Sequence, residues 1–204
     1  MLWSRYREAV GARLRPLAAF LLRAGVSPNA VTLATLALGA VVCLWFVRSR
    51  AILPFCLAIT VVGCLDVLDG LLARAGGRVT PWGGYLDAVC DRYFEAMVVL
   101  AVALVTGYWA LCLLALSGSL LVSYAKARAA LEVRVSNQEW PDLMERGERN
   151  LLFIAGLAAS QLVPWRPLGR DVFWWTLLLG SGLVHLTVLQ RVARAKRVIQ
   201  DRSR

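Results

Sequence analysis

Four aspartates in one short stretch of a largely apolar chain are the residues best suited to chemistry: Asp66, Asp69, Asp87 and Asp91. Residues three or four positions apart share one face of a helix. Asp66 and Asp69 therefore converge on one helix, and Asp87 and Asp91 on the next. Two such helices side by side put four carboxylates around one space. Carboxylates at the edge of hydrocarbon are costly, and a chain keeps them where they pair, bind a cation or take part in a reaction. Without a divalent ion, that much negative charge would repel itself or hold protons. The paired spacing predicts a site for two ions. Magnesium is hard and oxygen-seeking, and manganese can substitute for it.

The elements that must hold these aspartates are membrane helices. Ile52–Leu65 before the acidic segment and Met97–Tyr124 after it carry no charge. The chain is 204 residues long and 59% hydrophobic, against about 45–50% for a soluble domain. Lys and Arg number 23 against 13 Asp and Glu, but they flank apolar runs. No aromatic-interleaved basic strand or finger motif accompanies them, which argues against nucleic acid as a partner. The excess fits anionic membrane lipids and the positive-inside rule.

A helical crossing needs about 20 apolar residues. Six stretches approach that: 28–48, 51–74, 83–107, 109–130, 150–167 and 171–193. The links near 48–51 and 107–109 are short enough for antiparallel hairpins. Residues 1–24 mix Arg5, Arg7, Arg13, Arg15 and Arg23 with large apolar groups, as a helix lying in the membrane interface does. Ser27-Pro28 then caps and opens the first crossing. The expected fold is an all-α integral membrane protein, with an amphipathic helix over 1–24 and a six-helix domain over 25–204. With six crossings, most basic residues fall on one side and Arg48, Arg50, Arg166 and Arg170 on the other. Positive-inside then places both termini and the aspartates at the cytoplasmic face of the cell membrane. Trp82, Trp109, Trp140 and Trp165 fall where interfacial belts are expected.

The remaining chemically active residue types read as structural. Cys43, Cys56, Cys64, Cys90 and Cys112 lie in or beside apolar helices with no C-x-x-C pair, so they are expected as small core or lipid-facing residues. His185 sits mid-run in the last apolar stretch and is expected to make a helix–helix hydrogen bond. The N-terminus shows no signal peptide with a clear cleavage site.

The pattern D-x2-D-G-x2-A-R-x8-G-x3-D-x3-D is filled by Asp66, Asp69, Gly70, Ala73, Arg74, Gly83, Asp87 and Asp91. It resembles the signature of the CDP-alcohol phosphotransferases. At a few per cent per residue type, eight fixed positions coincide about once in ten billion windows. The resemblance implies transfer of a substituted phosphate from a CDP-linked donor to an alcohol, with release of CMP. It also implies that Asp66, Asp69 and Asp87 are metal ligands, with Asp91 a shared ligand or the base. Donor contacts would come from Asp69, Gly70, Ala73, Arg74 and Gly83. Small residues at 70 and 73 let a phosphate approach the backbone, though close helix packing accounts for them equally well. Asp66, Gly70 and Arg74 form one helical stripe, which turns Arg74 towards the donor pyrophosphate. Ser27-Pro28-Asn29-Ala-Val-Thr32 is similar to the P-N-x-x-T stretch of the family, making Asn29 and Thr32 candidate donor contacts. Glu95 could support the metal site or pair with Arg92.

A second cluster bears on the acceptor. Ser123, Lys126 and Arg128 end the fourth stretch, and Arg146 and Arg149 begin the fifth. Guanidinium groups bind phosphate bidentately, so a phosphorylated acceptor would suit them. A solvated basic edge paired with Glu145 and Glu148 is the plainer alternative. S-Y-x-K-A-R-A followed by E-R-x-E-R resembles the branch that makes phosphatidylinositol phosphate from inositol phosphate. The resemblance thus implies CDP-diacylglycerol as donor, inositol phosphate as acceptor and a homodimeric assembly among membrane lipids. Glycerol phosphate as acceptor and a soluble CDP-inositol donor are alternatives within the same chemistry. A cation transporter or channel is the alternative of another class, disfavoured because the aspartates cluster near one surface.

Overall fold

A computed structural model of the chain describes residues 2–132 and 146–202, and no strand occurs among the described residues. The elements are α1 (Leu2–Arg23), α2 (Pro28–Ser49), α3 (Ile52–Leu65), α4 (Val67–Ala75), α5 (Pro81–Thr106), α6 (Trp109–Glu132), α7 (Arg146–Leu162) and α8 (Val172–Arg202). They form two compact units, residues 1–106 and 107–204.

Among the described residues, four helices are long and apolar enough to cross a membrane: Pro28–Ser49, Ile52–Ala75, Trp109–Glu132 and Val172–Gln200. These match four of the six expected stretches. The other two expected crossings fall on α5 and α7, which differ for identifiable reasons. The middle of α5 carries Asp87, Asp91, Arg92 and Glu95, leaving Ala96–Thr106 as its uncharged run. The 17 residues of α7 open on Arg146, Glu148 and Arg149.

In the first unit, the Ser27 side chain accepts a hydrogen bond from Ala30 N at 3.2 Å, and Pro28 takes the first helical position of α2. This satisfies a backbone donor that the helix itself leaves open. Phe46 on α2 stacks on Phe55 of α3 with centroids 3.9 Å apart and planes 9° apart. Both rings are buried, and the pair adds about 0.5–1.5 kcal/mol beyond the area it covers. Close approach of α2 and α5 depends on Gly39, where an added Cβ would lie 2.5 Å from the Phe94 ring. Helix α1 packs on α4 through a core of Ala18, Leu68 and Leu72, joined by Val31 of α2.

Asp66 is the joint between α3 and α4. Its backbone N–H still donates to Val62 O at 3.1 Å, with φ −55° and ψ −26°. The rod therefore runs on through the joint, and the first aspartate of the signature stands at its one interruption. After α4 the chain reverses through Gly77, whose φ of +60° lies in the left-handed region that glycine enters without strain.

In the second unit, α6 and α7 both pack on α8. Val122 of α6 meets Val184 and Val188 of α8. His185 Nε2 lies 3.2 Å from Leu114 O, the helix–helix hydrogen bond expected of it. The cysteines form no disulfide, and four of the five are buried, as core residues should be.

Candidate metal centre

The joint at Asp66, the first turn of α4 and the start of α5 bring three carboxylates together. One oxygen each from Asp66, Asp69 and Asp87 lie within 4.8 Å of one another. All three are hard oxygen donors, and like charges this close favour a divalent cation of the magnesium or manganese type. Asp91 is not one of that close group. It borders a small neighbouring cavity with Asp66, Cys90, Thr32, Thr35 and Phe94. Three of the four aspartates thus gather at one point and the fourth stands beside them.

Asp69 is buried and held at both oxygens. The Thr32 hydroxyl donates to Oδ2 at 2.6 Å, and the Gly70 backbone N–H donates to Oδ1. Thr32 is itself buried, so its hydroxyl is turned to the carboxylate. In this geometry Thr32 makes an orienting contact to a carboxylate of the cluster. Each Asp69 oxygen keeps lone-pair capacity for a cation.

The small residues of the signature sit where larger ones would collide. A Cβ on Gly70 would lie 3.2 Å from Arg74 Nη1, so the Arg74 guanidinium folds back over Gly70. The helical stripe of 66, 70 and 74 expected from spacing is therefore present. A Cβ on Gly83 would lie 3.1 Å from Thr80 Oγ1 and 3.3 Å from Asn29 Oδ1. Asn29 at the start of α2 and Gly83 in α5 are thereby neighbours, and the Gly83 N–H donates to Thr80 Oγ1 at 3.0 Å. Ala73 is half-buried one turn beyond Asp69. Glu95 pairs with Arg92 at 2.8 Å, the second of the two roles open to it.

The basic cluster divides. Arg149 on α7 is buried, and Lys126 and Ser123 on α6 are half-buried. The Ser123 hydroxyl donates to Ser119 O at 3.3 Å. Arg128 instead pairs with Glu132 at 2.7 Å on an exposed surface, where such a pair contributes little. The side chain of Arg146, together with Glu145 and Trp140, lies outside the described residues.

Arg191 was not among the candidate residues read from the sequence. It is 6% exposed, and its guanidinium donates to Val122 O on α6. A signal existed, because α8 continues eleven residues beyond it with the basic positions spread over several turns. An arginine one turn short of that exposed run faces the bundle.

A sequence profile of the CDP-alcohol phosphatidyltransferase family matches residues 25–182. The chain is 37% identical to an archaetidylinositol phosphate synthase of Aeropyrum pernix, over 78% of this chain and 80% of that protein. It is 33% identical to a phosphatidylinositol phosphate synthase of Mycobacteroides abscessus, over 91% of this chain and 84% of that protein. Its fold is similar to crystal structures of the phosphatidylinositol phosphate synthase of Mycobacterium tuberculosis. With manganese and citrate bound, that structure gives a TM-score of 0.77 at 27% identity, covering 88% of this chain and 87% of that one. With CDP-DAG bound, it gives 0.77 at 27%, covering 89% and 92%. The chain belongs to the CDP-alcohol phosphatidyltransferase family and is a membrane enzyme of phospholipid biosynthesis.

Proposed function

We propose that the protein transfers the lipid phosphate of CDP-diacylglycerol to a hydroxyl of inositol phosphate and releases CMP. The observation that carries this reading is the gathering of Asp66, Asp69 and Asp87 oxygens within 4.8 Å. The relatives with inositol phosphate in their names differ in the lipid, archaetidyl in one and phosphatidyl in the other. The acceptor is what they share. A donor with an archaetidyl lipid is therefore a second reading, and both donors belong in the assay.

Asp66, Asp69 and Asp87 are the residues that would hold two divalent ions, magnesium or manganese. When bound, such ions neutralise the pyrophosphate and stabilise charge on the leaving CMP. The acceptor hydroxyl oxygen forms a bond to the lipid-bearing phosphorus, and the bond from that phosphorus to the bridging oxygen of CMP breaks. The hydroxyl proton passes to Asp91. Asp91 stands outside the closest carboxylate group and borders the cavity beside it, a position that suits the base. Asp91 could instead serve as a shared ligand, and its substitution separates the two roles.

Thr32 and the Gly70 N–H keep Asp69 in place, while Asn29, Gly70, Ala73, Arg74 and Gly83 face the donor's nucleotide and pyrophosphate. Lys126, Arg149 and Arg146 bind the acceptor phosphate, helped by Ser123. Arg128 has a smaller part, being engaged with Glu132. The proposed topology has six crossings, α1 in the interface, and both termini and the aspartates on the cytoplasmic side of the cell membrane. The assembly is a homodimer. The test is CMP release from CDP-diacylglycerol with inositol phosphate, free inositol and glycerol phosphate in turn. Inositol phosphate should be the acceptor used.

A further inference from the structure

A groove of about 480 Å³ opens between α1 and α4, within the range of ligand-sized sites. Arg15 and Arg23 of α1 and Arg74 of α4 line it, above a floor that includes Ala18, Leu22 and Leu71. None of its lining residues is acidic, and all three arginines are exposed. Three guanidinium groups over an apolar floor match a ligand with a phosphate on an apolar stem. A free anion would leave the floor unused, and a zwitterionic lipid would leave the excess charge unmatched.

The groove is not the place where the carboxylates gather. At 3.6 residues per turn, Asp69 and Ala73 share one face of α4, while Leu71 and Ala75 lie on nearly the opposite one. Arg74 stands between the two faces. A molecule engaged at the carboxylates would have to wrap the helix to fill the groove.

We infer that the α1–α4 groove binds an anionic phospholipid of the surrounding bilayer, distinct from the lipid donor. Its headgroup phosphate lies among Arg15, Arg23 and Arg74, and an acyl stem lies along the floor. The inference rests on the interfacial placement of α1 proposed above and not on the identity of the acceptor. Because Arg74 borders both faces of α4, occupancy of the groove is also sensed beside the metal centre.

The test uses the full-length protein in phosphatidylcholine bilayers with spin-labelled phosphatidylglycerol or spin-labelled phosphatidylcholine as probe. The wild type should prefer the anionic probe. The Arg15→Gln/Arg23→Gln variant should lose about fivefold of that preference per arginine removed. Arg15→Lys/Arg23→Lys should retain most of it, which separates loss of charge from loss of folding. Metal-dependent CMP release in pure phosphatidylcholine should be the same for all three proteins. Equal wild-type affinity for both probes would overturn the inference. So would a rise in the donor KM of the Gln variant in phosphatidylcholine, which would make the groove part of the donor site. Either result would leave the proposed reaction standing, because CMP release is read separately.

Discussion

The Thr32 hydroxyl on α2 donates to Asp69 Oδ2 on α4 at 2.6 Å, and both residues are buried. A hydrogen bond to a charged group contributes about 1.5–3 kcal/mol. Thr32→Val keeps the shape and removes the donor, leaving Asp69 held only by the Gly70 N–H. The divalent-ion concentration giving half-maximal turnover should rise roughly tenfold to a hundredfold. The donor KM at saturating metal should not change, and Thr32→Ser should restore the wild-type midpoint. Metal titration of CMP release reads this directly. A raised donor KM with an unchanged metal midpoint would return Thr32 to the nucleotide.

Asp91 borders the cavity beside the carboxylate triad without joining its closest group. Asp91→Asn removes the proton acceptor while preserving size. Turnover should fall by about a hundredfold to ten-thousandfold, with CDP-donor binding largely intact. Near-normal turnover would exclude Asp91 as the base. Lost metal binding would make it a ligand.

Arg149 is buried on α7, where a charge is kept only if something uses it. Arg149→Ala should raise the acceptor KM roughly tenfold to a hundredfold and leave the donor KM nearly unchanged. Arg128→Ala, which removes a residue already paired with Glu132, should have a much smaller effect. Steady-state kinetics with each substrate varied in turn distinguishes them. Equal effects of the two substitutions would reduce the cluster to a basic membrane edge.

The metal centre also depends on close packing behind it. A Cβ at Gly39 would meet the Phe94 ring at 2.5 Å, and Phe94 borders the same cavity as Asp66 and Asp91. Gly39→Ala should destabilise the protein by about 1–3 kcal/mol, as overpacking does. Gly39→Ala/Phe94→Leu should recover part of that loss. Thermal unfolding in detergent checks both, and an unchanged Tm for Gly39→Ala would contradict the packing.

In the second unit, the Tyr108 hydroxyl donates to Asp171 Oδ2 at 3.0 Å, outside the candidate spans. Burial, and then the hydrogen bond to Asp171, push the phenol above its ordinary value of 10.0. A raised folded-state pKa means that the proton is held more tightly in the folded protein. Its stabilising contribution is present below pH 10 and fades as pH rises through the folded value. The difference in alkaline ultraviolet titration between wild type and Tyr108→Phe should show one late-titrating tyrosine. A difference step at or below the ordinary value would contradict this.

The site was legible in sequence where its logic is local. Asp66 with Asp69, and Asp87 with Asp91, announce their helix faces by spacing alone, and the crowded charge calls for a cation. The stripe through Gly70 and Arg74 is local too. The Thr32–Asp69 hydrogen bond spans 37 residues, and no periodicity connects two helices at that distance. Arg191 was hidden differently: a buried arginine and the first arginine of a tail look alike until the packing of α8 is known. Arg128 shares the cluster's sequence, and its pairing with Glu132 a turn away shows only once the side chains are placed. Among the elements, uncharged runs located four membrane helices directly. The same criterion is weakest on α5, where Asp91, Arg92 and Glu95 interrupt the hydrophobic run that it depends on.

In the proposed mechanism, Asp66, Asp69 and Asp87 hold the divalent ions needed to move a lipid phosphate from a CDP-linked donor to inositol phosphate. Its most direct test is CMP release by the purified protein from CDP-diacylglycerol. Inositol phosphate and magnesium or manganese are each added or withheld, for the wild type and for Asp69→Asn. CMP should appear only from the wild type with both the divalent ion and inositol phosphate present. Release that survives chelation, proceeds equally with free inositol, or continues undiminished in Asp69→Asn would contradict it.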